Sequence, residues 1–300
     1  MPTKEIEAHK RPLVVVVGVT ASGKSALAMK LAAKINGEIV CADSRTVYKG
    51  LDIGTAKPTK EDQQQIKHYL LDMVGPGGSF NAAEFKKLAE QALIDIWRKG
   101  KTPILVGGTG LYIDAVIFDY QFGPKADANL RQTLNAMSLE QLQRLCQQRS
   151  IELPENDMNK RHLVRAIELG GQIKEKKRLR PNTIVVGITT DKATLHSRIE
   201  ARVRTMLDSG LLAEVKAAQR LFGHGHEALK GNVYDAYGKM LDGDLSPQQA
   251  FEQAVGNDLS LAKRQATWFR RNPNIVWGDA QSLEGQVTDF VSKQDFATIN

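Results

Sequence analysis

The stretch that most constrains this chain is GVTASGKS, Gly18 to Ser25, which fits the pattern G-x-x-x-x-G-K-[ST] through Gly18, Gly23, Lys24 and Ser25. It follows the apolar run LVVVV and leads into SALAMKLAAKI, whose apolar spacing is helical. Strand, glycine-rich turn and helix in that order make a phosphate-binding loop. Glycines let consecutive N–H groups face inward, Lys24 adds a mobile cation, Ser25 offers a hydroxyl to Mg²⁺, and the helix N-terminus favours an anion. A phosphorylated ligand is therefore expected here. The loop alone leaves open whether it is a nucleotide or another diphosphate.

The rest of the first half repeats the strand-then-helix order. GEIVCADS reads as a short buried strand ending near Asp43, followed by the polar loop RTVYKGLDIGTAKPT. Asn81 is placed to cap an amphipathic helix that stops at Gly100, and TPILVGG forms the next strand before TGLYIDAVI turns helical. This alternation predicts an α/β fold, a P-loop-like parallel sheet flanked by helices, with its ligand crevice at the carboxyl ends of the strands. From about residue 124 to 182 the pattern becomes helical and polar, up to the paired Gly170 and Gly171 and the basic run KEKKRLR. The expected organisation is a core domain over 11–123 and 183–300 with a helical insertion over 124–182. After the strand TIVVGITT the chain reads as helical to near its end, with Ser246, Pro247 and Gln249 opening one helix through a capping box.

Charge and cysteine usage narrow the class of protein. A net charge of +7 and a sequence pI near 9.3 suit a polyanionic partner without requiring one. Cys41 and Cys146 are too far apart to form a metal-binding spacing, which suits a reducing compartment. No signal-peptide core or membrane-spanning run is evident, so a soluble, cytoplasmic protein with no membrane partner is expected, acting as a monomer.

Phosphoryl transfer normally needs an acidic residue at the end of a second buried strand to hold Mg²⁺. PILVGG ends in glycines and a threonine instead, leaving Asp43 as the strand-end carboxylate of the first half. Asp43 reads either as a Mg²⁺-linked residue of a kinase or as a general base beside the phosphate site. In sequence order, GVTASGKSALA, ADSRTVYKGLDIGTAKPT, PILVGGTGLY, NKRHLVRAIEL, RVRTMLDSGLLAEV and AKRQATWFRR resemble the tRNA dimethylallyltransferase family, from Val14 to about Trp277. That resemblance implies transfer of a dimethylallyl group from dimethylallyl diphosphate to N6 of the adenine 3′ of the tRNA anticodon.

The resemblance also implies site residues. Gly18, Thr20, Ala21, Ser22, Gly23, Lys24 and Ser25 would cradle the diphosphate, with Mg²⁺ at Ser25 and Arg202 beside the leaving group. Asp43 matches the family base. Ser44, Arg45, Thr46 and Thr109 match positions near a flipped adenine, and Arg161, His162, Leu163, Val164 and Arg165 of the insertion match a tRNA-binding segment. Lys263, Arg264, Arg270 and Arg271 read as one basic side of a late helix, suited equally to solvent or RNA. Three departures stand out. DLS at Asp258 to Ser260 replaces an arginine-bearing TRQ, Val233 and Tyr234 stand for GY, and Thr46 stands where glutamine is common. The competing readings are an adenylate isopentenyltransferase acting on free AMP, ADP or ATP, a P-loop kinase, and an inactive RNA-binding protein that keeps the fold.

Overall fold

The computed structural model describes residues 11–123, 127–154, 156–171 and 178–297. The insertion's expected first residue, Pro124, and most of KEKKRLR lie outside them. Six parallel strands form one sheet in the order β3-β2-β4-β1-β5-β6. These are β1 (Leu13–Val17), β2 (Gly37–Cys41), β3 (His68–Tyr69), β4 (Thr102–Gly107), β5 (Thr183–Ile188) and β6 (Ile275–Gly278). All five β1 side chains are fully buried, as expected of a parallel strand covered on both faces. Each such valine or leucine contributes roughly 1.5–3 kcal/mol relative to exposure.

The helices of the first half are α1 (Lys24–Lys34), α2 (Lys60–Gln65), α3 (Ala82–Arg98) and α4 (Gly110–Ile117). Asn81 caps α3 through the N–H groups of Ala83 and Glu84, and Gly100 turns the chain out of it at φ 69°. One core cluster packs α1 side chains Leu27 and Leu31 with Val14, Ile104 and Val186 of the sheet. A second lies among α8 (Lys192–Asp208), α9 (Leu211–Phe222), α10 (Val233–Leu241) and α11 (Pro247–Phe269), and includes Val203, Leu211, Tyr234 and Ala254. For that count α5 (Ala128–Ala136), α6 (Leu139–Gln148) and α7 (Lys160–Glu168) precede α8, and α12 (Ala280–Ala297) closes the chain. Ser246 and Gln249 form the capping box of α11, with Pro247 at its first position.

The chain separates into two compact units, Met1–Asp119 with Leu179–Asn300, and Tyr120–Arg178. The second unit carries α5, α6 and α7 around its own core of Leu134, Leu142, Cys146, Ile151, Leu163, Val164 and Ile167. The tail departs from its expected helical run. IVWG forms β6, pairing Val185 to Ile275 and Gly187 to Trp277, because Gly187 leaves room for the Trp277 ring.

Candidate active site

Three loops leave the carboxyl ends of the adjacent strands β2, β4 and β1, so the order of the sheet itself gathers them. In the first, Ala21 (φ 58°) and Gly23 (φ 94°) take left-handed backbone, curling the chain from Val19 into α1. A side chain on Gly18 would strike the Ser22 Oγ at 2.7 Å. Lys24 folds back so that its Nζ donates to the Val19 carbonyl at 3.2 Å. Burial pulls the Lys24 ammonium down to about 8, with Asp43 opposing the shift, Arg202 adding to it and Asp258 opposing it. Ser25, in the first turn of α1, is exposed in the cleft.

The second loop presents Asp43. Its Oδ1 accepts from the Arg45 N–H at 2.7 Å, an Asx-type turn, and the Ser44 N–H donates to Thr109 Oγ1 at 3.0 Å. Asp43, Ser44 and Thr109 are thereby brought together from two strand ends. Arg45 turns away to the short turn Glu227–Leu229, donating to the Glu227 carbonyl at 2.5 Å and the Lys230 carbonyl at 3.1 Å. Thr46 is buried, and its hydroxyl has no hydrogen-bond partner among the described residues. The rest of this loop is held by Glu214, whose carboxylate accepts the N–H groups of Asp52, Ile53 and Gly54 and the Tyr234 hydroxyl. A side chain at Gly54 would strike the Tyr234 ring at 2.6 Å, so Tyr234 is a buried support beneath the loop.

The third loop explains why β4 ends without an acid. A Cβ on Gly107 would sit 1.9 Å from the Ala42 carbonyl, and one on Gly108 would sit 2.2 Å from the Gln265 amide. Close approach of the Ala42 backbone leaves room only for glycine at Gly107, and at Gly108 a side chain would displace the Gln265 amide.

Helices α8 and α11 supply the opposite wall. Arg202 Nη1 donates to Thr20 Oγ1 at 2.6 Å, and Arg198 reaches the Ser22 carbonyl at 3.3 Å. Gln265 was not singled out from the sequence, yet it joins two loops: its Oε1 accepts the Thr20 N–H at 2.7 Å, and its Nε2 donates to the Gly108 carbonyl at 3.1 Å. Asp258 is buried in this wall, 4% exposed, with Oδ2 3.7 Å from Arg202 Nη2. The departure at DLS therefore falls among the phosphate-loop cations. Thr20, Lys24, Ser25, Asp43, Arg202, Asp258 and Gln265 all line one cleft of about 1140 Å³. His68 lines it as well, its Nδ1 2.8 Å from the Ile66 carbonyl and its imidazolium disfavoured by burial.

The basic segments divide by exposure. Lys263, Arg264, Arg270 and Arg271 are exposed, although α11 ends at Phe269 and the last two lie at and beyond its cap. Trp268 covers Gly110 and donates to Asp114 Oδ2 at 2.9 Å, a structural role. In the second unit, Arg161 and His162 are exposed while Leu163 and Val164 point into the core. Arg165 and Arg131 both bind Glu168; burial would raise that carboxyl, and the two guanidinium groups hold it below its usual range.

A parallel sheet carrying a P-loop, a strand-end aspartate and an arginine turned onto the loop threonine defines a P-loop-like α/β transferase. The chain belongs to the IPP transferase family, whose model matches residues 46–272. It is 41% identical over 284 residues, 89% of this chain and 90% of the other, to the tRNA dimethylallyltransferase of Anoxybacillus flavithermus. The Bacillus subtilis tRNA dimethylallyltransferase is 36% identical over 286 residues, covering 90% of this chain and 91% of the relative. Among solved structures, the tRNA isopentenylpyrophosphate transferase of Bacillus halodurans matches with a TM-score of 0.73 and 30% identity, over 97% of this chain and 100% of the other.

Proposed function

We propose that this enzyme transfers a dimethylallyl group from dimethylallyl diphosphate to N6 of the adenine 3′-adjacent to a tRNA anticodon, releasing diphosphate. The observation that carries the reading is the meeting of Asp43 with the loop of Lys24, Thr20 and Arg202 in one cleft whose β4 end has no kinase-type acid. In the reaction the N6–C1 bond forms as the C1–O bond breaks, and the bonding electrons leave on the diphosphate. An adenine amino group is a weak nucleophile because its lone pair is delocalised into the ring. Asp43 accepts its proton as the new bond forms, help typically worth about 10²–10⁴-fold.

Negative charge grows on the leaving oxygens, where the loop N–H groups, Lys24 and Arg202 meet it. Thr20 Oγ1, already bound to Arg202, sets that guanidinium at the loop. The Ser25 hydroxyl is the protein donor that suits Mg²⁺. Among the described residues no three His, Cys, Asp or Glu side chains cluster to hold a metal. Mg²⁺ there would neutralise charge on the departing diphosphate.

The adenine must leave its stack to reach Asp43, with Ser44 and Thr109 beside it and Thr46 in the cleft wall. Arg45 acts from its anchored position, ordering the turn beside the base. Exposed Lys263, Arg264, Arg161 and His162 suit phosphate contacts; Arg165 acts through Glu168, and Leu163 and Val164 hold the helix that presents them. No described helix is long and apolar enough to cross a membrane. The test is transfer of labelled dimethylallyl to an anticodon stem-loop, with AMP as a parallel acceptor. Label on the RNA, lost in Asp43→Ala, is the expected result; label on AMP alone, or ATP turnover with unlabelled RNA, would overturn it.

A further inference from the structure

We propose that Asp258 is a resident counter-anion of the diphosphate cradle, which weakens the enzyme's hold on the diphosphate product more than its hold on the allylic donor. The inference rests on the diphosphate reading above. Asp258 lies seven residues before Gln265 on α11, hence on the same helical face, and both line the cleft. Its carboxylate is buried, yet it is not a well-bonded structural acid. Oδ2 stands 3.7 Å from Arg202 Nη2, beyond hydrogen-bond reach, and neither that oxygen nor Arg202 Nε has a hydrogen-bond partner among the described residues.

A buried charge is tolerated only where other charges compensate it. Here the compensating charges are Arg202 and Lys24, the cations that would also grip a diphosphate. Burial holds the Asp258 carboxyl above its usual value against the opposing pull of these two cations, while Asp43 faces Lys24 from the β2 end. A ligand that takes over the cations therefore meets a fixed negative charge behind them. The repulsion grows with the ligand's own charge. Breaking the C1–O bond turns an ester oxygen into one that can ionise beside the cradle's cations, so diphosphate bound there carries more negative charge than the donor and is repelled more strongly. Asp258 thus favours product departure, at some expense of grip throughout the cycle.

The experiment is calorimetric titration, in Mg²⁺ and at a pH well below the Lys24 value of about 8, so that this ammonium stays charged. Two probes are used on the native protein and on Asp258→Asn: inorganic diphosphate, and dimethylallyl thiolodiphosphate as an unreactive donor. The expected result is diphosphate binding tightened on the order of tenfold, with the donor analogue tightened less. Unchanged or weaker diphosphate binding, or equal tightening of both probes, overturns the proposal. If native protein binds neither probe, the diphosphate reading itself falls and takes the proposal with it. Asp258→Ser serves in the same way should the asparagine variant fail to fold, since it also removes the charge and leaves room for water.

Discussion

The two walls of the cleft are built differently. The strand-end wall is made of local signals: Gly18 to Ser25, Asp43 to Thr46 and Gly107 to Thr109 each sit just past a strand, and sheet order brings them together. The helical wall brings Arg202, Asp258 and Gln265 onto the same loop from 182 to 245 residues along the chain, as in the Arg202–Thr20 and Gln265–Thr20 bonds. In the proposed reaction the first wall carries the reacting groups, and the second sets their positions and charge balance. The difference teaches that a P-loop here is half a site.

If that division holds, the largest loss should follow from the first wall. Asp43→Ala is expected to lower kcat by about 10²–10⁴-fold while diphosphate binding persists, read by single-turnover transfer beside calorimetry. A matching loss of diphosphate affinity would make Asp43 a ligand-holding residue and erase the distinction between walls. Arg202→Ala comes next. Removing one donor from a developing oxyanion costs on the order of 10²–10³-fold in kcat, so a comparable fall in transfer rate, with Thr20 left in place, is expected. A change confined to KM would limit Arg202 to ground-state binding.

Gln265→Ala separates position from chemistry. It leaves the Thr20 N–H and the Gly108 carbonyl without their buried partner, and each such group costs roughly 1–3 kcal/mol. A lowered Tm together with a raised KM for the donor is the expected pair of changes, from thermal unfolding and steady-state kinetics. Lowered Tm with unaltered kinetics would show that Gln265 braces the fold without shaping the loop.

How much could be seen beforehand follows the same division. The strands around Val14, Ile39 and Ile104 announce themselves as apolar runs, and the caps at Asn81 and Ser246 follow from side-chain chemistry that acts within three residues. β6 gave no such signal: four residues ending in glycine form a strand only because β5 offers an edge and Gly187 makes space for Trp277. Gln265 and Asp258 were legible as members of a helix, but their direction depends on how α11 packs, which no local pattern encodes. Asp258 shows this best. In the sequence it is one residue of the DLS stretch that departs from TRQ; in the fold it is a buried anion facing Arg202. Arg45, which the resemblance puts near a flipped adenine, donates in the fold to two carbonyls of a distant turn, a contact that no local pattern encodes.

The smallest expected effect joins the walls through one proton. Burial lowers the Lys24 ammonium to about 8, whereas Asp258 and Asp43 each favour its charged form. Free enzyme above that pH loses the loop cation, so kcat/KM for the donor should hold steady below about 8 and fall as pH rises through it, by up to about tenfold per unit. Removing the negative charge at Asp258 takes away one of the groups that keeps the proton on Lys24. The descending limb should therefore begin at lower pH in Asp258→Asn than in the native enzyme, whereas Gln265→Ala, which changes no charge, should leave it in place. A limb that stays put in Asp258→Asn would mean that the helical wall does not reach Lys24 electrostatically, and that the two walls share geometry alone.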